Sequence, residues 1–259
     1  MIVCRSAAEL SRMGGANRLV AQVLEVLETA VAPGVSTWDL DEMAERLVRD
    51  GGAVPAFKGY RGFPATLCTS VNDEVVHGIP SKQRVLKDGD IVSIDICVKL
   101  DGFYGDSAVT VAVGAVPEET QRLLQVTRES LERAIAQVRV GGRIGDLGHA
   151  VQSWVEAHGF SVVREFVGHG IGEQLHEEPQ IPNYGSRGRG PVLAEGMVLA
   201  IEPMVAMGRP EVKVLRDGWT AVTKDGRLAA HFEHTVAVGA DGPLVLTART
   251  QTASVPATR

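Results

Sequence analysis

The chain has 259 residues, 44% hydrophobic and 22% charged, with a formal net charge of -6. That length can bury a substantial core in one large or two small domains, and the acidic balance argues against direct nucleic-acid binding. Cys4, Cys68 and Cys97 show no CxxC spacing, which points to reduced thiols and a cytoplasmic address. The opening MIVCRSAAEL has no signal-peptide pattern, and no run reaches the roughly 18 apolar residues that span a bilayer, so no membrane partner is expected.

Ser6 and Glu9 form a capping-box pattern ahead of a first helix, along which Leu10, Met13, Ala16, Val20, Val23 and Leu27 recur at helical spacing until Pro33-Gly34. Ser36 and Asp39 repeat the pattern for a second helix that stops at Gly51-Gly52. Strands are predicted at Thr66–Ser70, Ile91–Leu100 and Phe103–Val113. A third helix runs from Pro117 to about Val138, with acids in its first turn, and a fourth from about Asp146 to His158. Further strands are predicted at Ser161–Phe166, Val198–Pro203, Val212–Leu215, Thr220–Val222 and Ala230–Val238. The tail from Thr250 reads as frayed.

The order is helix pair, strands, helix pair, strands. It describes an α+β chain of two similar halves, each with a helix pair on one face of a mainly antiparallel sheet. No low-complexity linker separates them, so the halves are expected to share one sheet and one core. Residues 1–249 are expected to form a single domain and 250–259 a flexible tail.

Asp95, Asp106, His169, Glu202 and Glu233 each lie on or beside a strand-like stretch. Hard or borderline oxygen and nitrogen donors without thiolate suit a pair of divalent cations, and such a pair suits amide hydrolysis. The hairpin gives a reason for two of them to meet. Asp101-Gly102 is a favoured two-residue turn, which sets Asp95 opposite Ala108 and Cys97 opposite Asp106. The two carboxylates then become diagonal neighbours on one face, whereas a slip of one residue would separate them. Val92, Ile94, Ile96 and Val98 take the other face, toward helices.

His169 follows a strand-like run into the glycine-rich GHGIG; His176 lies in LHEEPQ, outside any HExxH pattern, and His77 lies in VVHGIP. Glu202 ends the apolar run MVLAIEPM and Glu233 sits inside HFEHTVAV, so both need partners. Solvated acids and structural salt bridges are the alternatives to a metal site.

The segments VNDEVVHGIP, DIVSIDICVKLDGFYGDSA, FVGHGIGEQLHEEPQIPNY, GMVLAIEPM and HFEHTVAV, in this order between about Ser6 and Thr247, resemble type I methionine aminopeptidase. The resemblance implies the pseudo-two-fold "pita-bread" fold, a curved antiparallel sheet with helix pairs on its outer face. It also implies metal-dependent removal of N-terminal methionine from nascent proteins and peptides, with a small second residue preferred. Asp106 and Glu233 would bridge two divalent ions (Co, Mn, Fe or Zn), Asp95 would chelate one, and His169 with Glu202 would complete the other. Attack would come from a water or hydroxide bound between the metals. Glu202 would shuttle a proton, His176 would bind the developing oxyanion or the substrate carbonyl, and His77 the substrate amide nitrogen. Tyr60, Phe63, Cys68, Leu175 and Trp219 would line the methionine pocket. Leu175 stands where the family commonly has Phe, and His231, where it often has Gln, is expected to perturb the nearby Glu233. Partners would be nascent chains beginning with Met, with transient contact to the ribosome, for a monomeric cytoplasmic enzyme.

Relatives in the same fold are set apart by their own features. Prolidases and aminopeptidase P carry a large N-terminal domain, whereas the segment ahead of Ser36 holds one helix. The type II enzyme carries a helical insertion that the interval from Glu202 to Glu233 does not accommodate. The alternative function is a pita-bread protein that keeps the ligands yet serves as a non-catalytic peptide- or protein-binding module. A bulky second residue, Ile2, predicts that the chain retains its own Met1.

Overall fold

The structure, a computed structural model, describes residues 2–249. The tail expected from Thr250 lies outside the described residues. Helix α1 spans Ala7–Ala30 and α2 spans Thr37–Asp50. Both open on reciprocal capping boxes: Ser6 Oγ accepts from the Glu9 N–H, and Glu9 Oε2 accepts from the Ser6 N–H at 2.7 Å. Ser36 and Asp39 repeat this. Helix α3 spans Glu118–Ile135 and α4 spans Ile144–Ala157. The fourth helix begins ahead of Asp146 because that carboxylate caps it, accepting from the N–H groups of Arg143 (2.9 Å) and Gly188 (2.8 Å).

The two helix pairs occupy equivalent places. Ser36, at the start of α2, makes an isolated antiparallel bridge to Val85, and Arg143, at the start of α4, makes one to Val192. Helices α1 and α2 pack together with α1 against the Ile91–Leu100/Phe103–Ala112 hairpin, while α3 packs on α4 and on the strands of the second half. The hairpin has the predicted register: Asp95 pairs with Ala108 and Cys97 with Asp106. Asp101 (φ 50) and Gly102 (φ 86) both turn left-handed, as such a tight turn demands. On the opposite face Val92, Ile94, Ile96 and Val98 join a buried cluster with Val20 and Leu27 of α1.

The halves do not share one continuous sheet. All recorded strand pairings are antiparallel, and they group into four sheets. The core is nevertheless continuous. The same cluster runs from Leu24 and Leu40 through Ile94 to Leu123, Val151, Leu199 and Val236. Glu74–Val76, from the first half, pairs with Ala221–Thr223 in the second.

The strand predicted at Ala230–Val238 is two strands, Ala229–His231 and His234–Gly239, in different sheets. The break falls at Phe232-Glu233 because that segment leaves its ladder for the hairpin. Glu233 N–H donates to Ala108 O at 3.0 Å, and Ser107 Oγ donates to Glu233 O at 2.6 Å. Only Ser161–Val162 of the predicted Ser161–Phe166 is strand. The strand near Thr66 starts at Leu67, since the N–H groups of Thr66 and Leu67 both donate to the Asp41 carboxylate. No helix among the described residues is long and apolar enough to cross a membrane.

Candidate metal centre

Asp95 and Asp106 lean from the inner face of the hairpin into a cavity of about 200 Å³, whose lining also includes His169, Glu202 and Glu233. Each arrives from a different element. His169 is the middle residue of the strand Gly168–Gly170, paired on one side with Gln180 and on the other with Ala200. The flanking glycines permit this squeeze: a Cβ on Gly168 would strike Ala200 O, and one on Gly170 would strike Glu178 O. Glu202 follows directly on the strand Val198–Ile201, and Glu233 is clamped to the hairpin as described.

The charges do not balance among themselves. Asp106 and Glu233 are each 3% exposed, and Asp95 Oδ1, Asp106 Oδ1 and Glu233 Oε1 have no hydrogen-bond partner. Burial first, and then mutual repulsion, pushes the carboxyls of Asp95, Glu202 and Glu233 upward. Burial raises Asp106 too, although the Cys97 thiol and the Ser107 N–H pull it back. Ligand atoms of Asp106, His169 and Glu233 all lie within 4.8 Å of one another. His169 Nδ1 bonds the Gly170 carbonyl at 2.9 Å, which requires a proton on Nδ1 and leaves the Nε2 lone pair free. That Nε2 stands 3.5 Å from Glu202 Oε1 and 4.0 Å from Asp106 Oδ2. Burial, followed by the neighbouring His176, holds this imidazole at about 3, so it is neutral and available as a ligand.

The wall beside this floor is aromatic and apolar. Phe63 meets Trp219 edge-on at 5.1 Å and packs with Cys68. Leu175 is 2% exposed and joins Met13, Cys97 and Phe103 in a small cluster behind the wall. His77 sits on a left-handed backbone (φ 61), a sparsely populated region for a residue with a side chain. Its ring stands edge-on to Trp219 at 6.3 Å. The Tyr60 hydroxyl bonds His176 Nδ1 at 2.9 Å, and the His176 ring lies 4.3 Å from that of His169. The cavity therefore gathers every residue picked out in the sequence for metal, proton and pocket roles.

The profile of metallopeptidase family M24 matches residues 11–240. Methionine aminopeptidase 1 of Bacillus subtilis is 53% identical, over 95% of this chain and 99% of its own. The methionine aminopeptidase of Clostridium acetobutylicum is 50% identical over the same shares. The chain belongs to the methionine aminopeptidases of metallopeptidase family M24. A crystal structure of methionine aminopeptidase from Thermotoga maritima superposes with a TM-score of 0.94 at 48% identity, covering 95% of this chain and 99% of that one. The pseudo-two-fold arrangement of helix pairs and curved antiparallel sheets is thus the pita-bread fold.

Membership in a metallopeptidase family implies a divalent metal, and the residues fit one. Three orphaned carboxylate oxygens and a free imidazole nitrogen line one cavity, with no salt bridge from a lysine or arginine to these carboxylates among the described residues.

At the rim, His231 is 2% exposed and its Nε2 stands 3.7 Å from Glu202 Oε2. It ends the strand Ala229–His231, where it pairs with Met204. Two lining residues, Phe57 and Arg61, were not singled out in the sequence. The only available signal was their closeness to Tyr60 and Phe63.

Proposed function

We propose that the chain removes N-terminal methionine from peptides and nascent proteins, preferring a small second residue. The carrying observation is the juxtaposition of a buried, unneutralised ligand floor with an apolar wall in a cavity of about 200 Å³. That volume is small against the several hundred Å³ of a typical ligand pocket and suits one side chain with a few waters. Residues 1–249 would act as one catalytic domain.

Asp95, Asp106, His169, Glu202 and Glu233 would hold the ions, with Asp106 and Glu233 shared between them. When bound, two divalent cations (Co, Mn, Fe or Zn) supply Lewis acidity toward a water and the scissile carbonyl. Glu202, between His169 and His231, accepts the proton of the attacking water and returns it to the leaving amine nitrogen. With the Tyr60 hydroxyl donating to Nδ1, the proton of the His176 ring sits on Nε2, where it can donate to the developing oxyanion. Burial holds His77 at about 4, so a neutral ring meets the substrate amide. Phe63, Cys68, Leu175 and Trp219 would surround the thioether, whose polarisable sulfur favours aromatic edges.

The test is methionine release from Met-Gly-Met-Met, with Co, Mn, Fe and Zn added in turn. Release with at least one metal is expected. A chain that binds the peptide with metal present, yet releases nothing with any of them, would be the non-catalytic binding module.

A further inference from the structure

Arg61 is the only lysine or arginine among the described residues lining the cavity. It sits at the outer end: Arg61 is exposed, whereas Asp95, Asp106 and Glu233 are buried. Its guanidinium lies 5.4 Å from the Tyr60 ring, and Tyr60 in turn holds His176. Unlike Arg5, Arg49 and Arg84, Arg61 forms no salt bridge among the described residues. The floor does not compensate it either, because four carboxylates facing two divalent cations come close to neutral. Its backbone is left-handed (φ 49, ψ 24) within the short 3-10 turn Tyr60–Gly62, a conformation that suits Gly or Asn better than Arg. The cation is therefore unpaired, at the mouth, on a backbone that does not favour it.

A peptide with its amino end on the floor must leave past this mouth. An extended chain advances about 3.3–3.6 Å per residue, so the third and fourth residues emerge where an arginine side chain can reach them. We propose that Arg61 is a specificity-determining residue that favours substrates with an acidic side chain at the third or fourth position. The proposal rests on the aminopeptidase reading of the same site. An exposed ion pair yields about two- to five-fold in kcat/KM at low ionic strength, and salt screens it.

The test compares Met-Ala-Asp-Asp-Ala-amide, Met-Ala-Ser-Ser-Ala-amide and Met-Ala-Lys-Lys-Ala-amide on the full, metal-loaded chain. The amide removes the terminal carboxylate as a competing anion. Ratios of kcat/KM between peptides are taken within each variant, so a general change in activity cancels. The unsubstituted chain should prefer the acidic peptide over the neutral one by about two- to five-fold, and the preference should shrink as salt rises. Arg61→Lys should keep part of it. Arg61→Asn, which suits the left-handed backbone, should bring the ratio near one, and Arg61→Glu should turn preference toward the lysine peptide. Equal ratios in the unsubstituted chain, Arg61→Asn and Arg61→Glu, or a preference indifferent to salt, would overturn the proposal. Failure to release methionine even from the serine peptide would instead count against the aminopeptidase reading.

Discussion

His231 Nε2 faces Glu202 Oε2 across 3.7 Å, in a pocket where the imidazole finds no other hydrogen-bond partner for that nitrogen. Burial holds this ring at about 3, so it is neutral and can carry its proton on Nε2 toward the carboxylate. His231 is thus placed to orient a carboxylate that both holds metal and moves a proton. Removing such a supporting group lowers metal affinity or activity by about 10–100-fold. His231→Ala should show this in calorimetric Mn2+ titration as well as in kcat/KM. His231→Gln, which keeps a donor, should retain most of both. Equal metal affinity in the alanine variant would mean that the contact does not orient Glu202.

Glu202 itself separates binding from turnover. A positioned proton-transfer group contributes about 10²–10⁴-fold, so Glu202→Ala should lose turnover on that scale. Peptide affinity, read by fluorescence anisotropy with a labelled Met-Ala peptide, should change far less. A comparable loss in both would make Glu202 a binding group and not a proton shuttle.

The buried carboxyls make stability depend jointly on pH and metal. Asp95, Asp106, Glu202 and Glu233 all stand raised by burial. Their contribution to the metal-free fold is complete below the ordinary carboxylate range near pH 4, and it is lost as pH rises through the folded values. The histidines act in the opposite sense. His169 at about 3 and His77 at about 4 contribute stability above their ordinary value of 6.5 and lose it as pH falls. Above about pH 7.5 the histidines are neutral in the folded and the unfolded chain alike, so the raised carboxyls set the slope. The melting temperature of metal-free protein should therefore fall as pH rises above about 7.5, with the unfolding free energy dropping by up to about 1.4 kcal/mol per pH unit for each carboxyl that keeps its proton. Saturating Mn2+ should flatten the slope, because ligation requires the ionised forms. Parallel curves with and without metal would refute this account.

Tyr60 acts through His176. Tyr60→Phe removes the hydroxyl that meets Nδ1 at 2.9 Å but keeps the ring against the wall. The expected loss in kcat is about two- to ten-fold, the scale of one hydrogen bond. An unchanged kcat would leave His176 oriented by packing alone.

Gly105 sits one residue before Asp106, where α1 presses on the hairpin. A Cβ there would lie 2.9 Å from both Ala16 C and Asn17 N. Gly105→Ala should cost about 1–3 kcal/mol in chemical denaturation, the range for an overpacked core. Because the strain falls beside a ligand, weaker metal binding should accompany it. Unaltered stability would show that α1 can withdraw freely.

Local chemistry is readable in the chain, and it covers more of the site than its length suggests. The capping boxes at Ser6 and Ser36 start their helices where side chains three residues apart exchange hydrogen bonds. The Asp101-Gly102 turn, with the two-residue period of a strand, is sufficient to set Asp95 and Asp106 on one face. His169, Glu202 and Glu233 stand out as candidates by residue type and strand-like setting, and the family resemblance assigned their roles, but no local rule says where they lie in space. The tertiary structure decided that. Glu233 reaches Asp106 only because Phe232-Glu233 leaves its ladder to bond Ala108 and Ser107, residues far away in sequence. Tertiary packing also brings His231 beside Glu202 and sets Arg61 at the mouth, without a salt bridge among the described residues. Caps and tight turns are closed by neighbours along the chain, whereas a strand's exit from its sheet depends on which distant backbone groups compete for its hydrogen bonds.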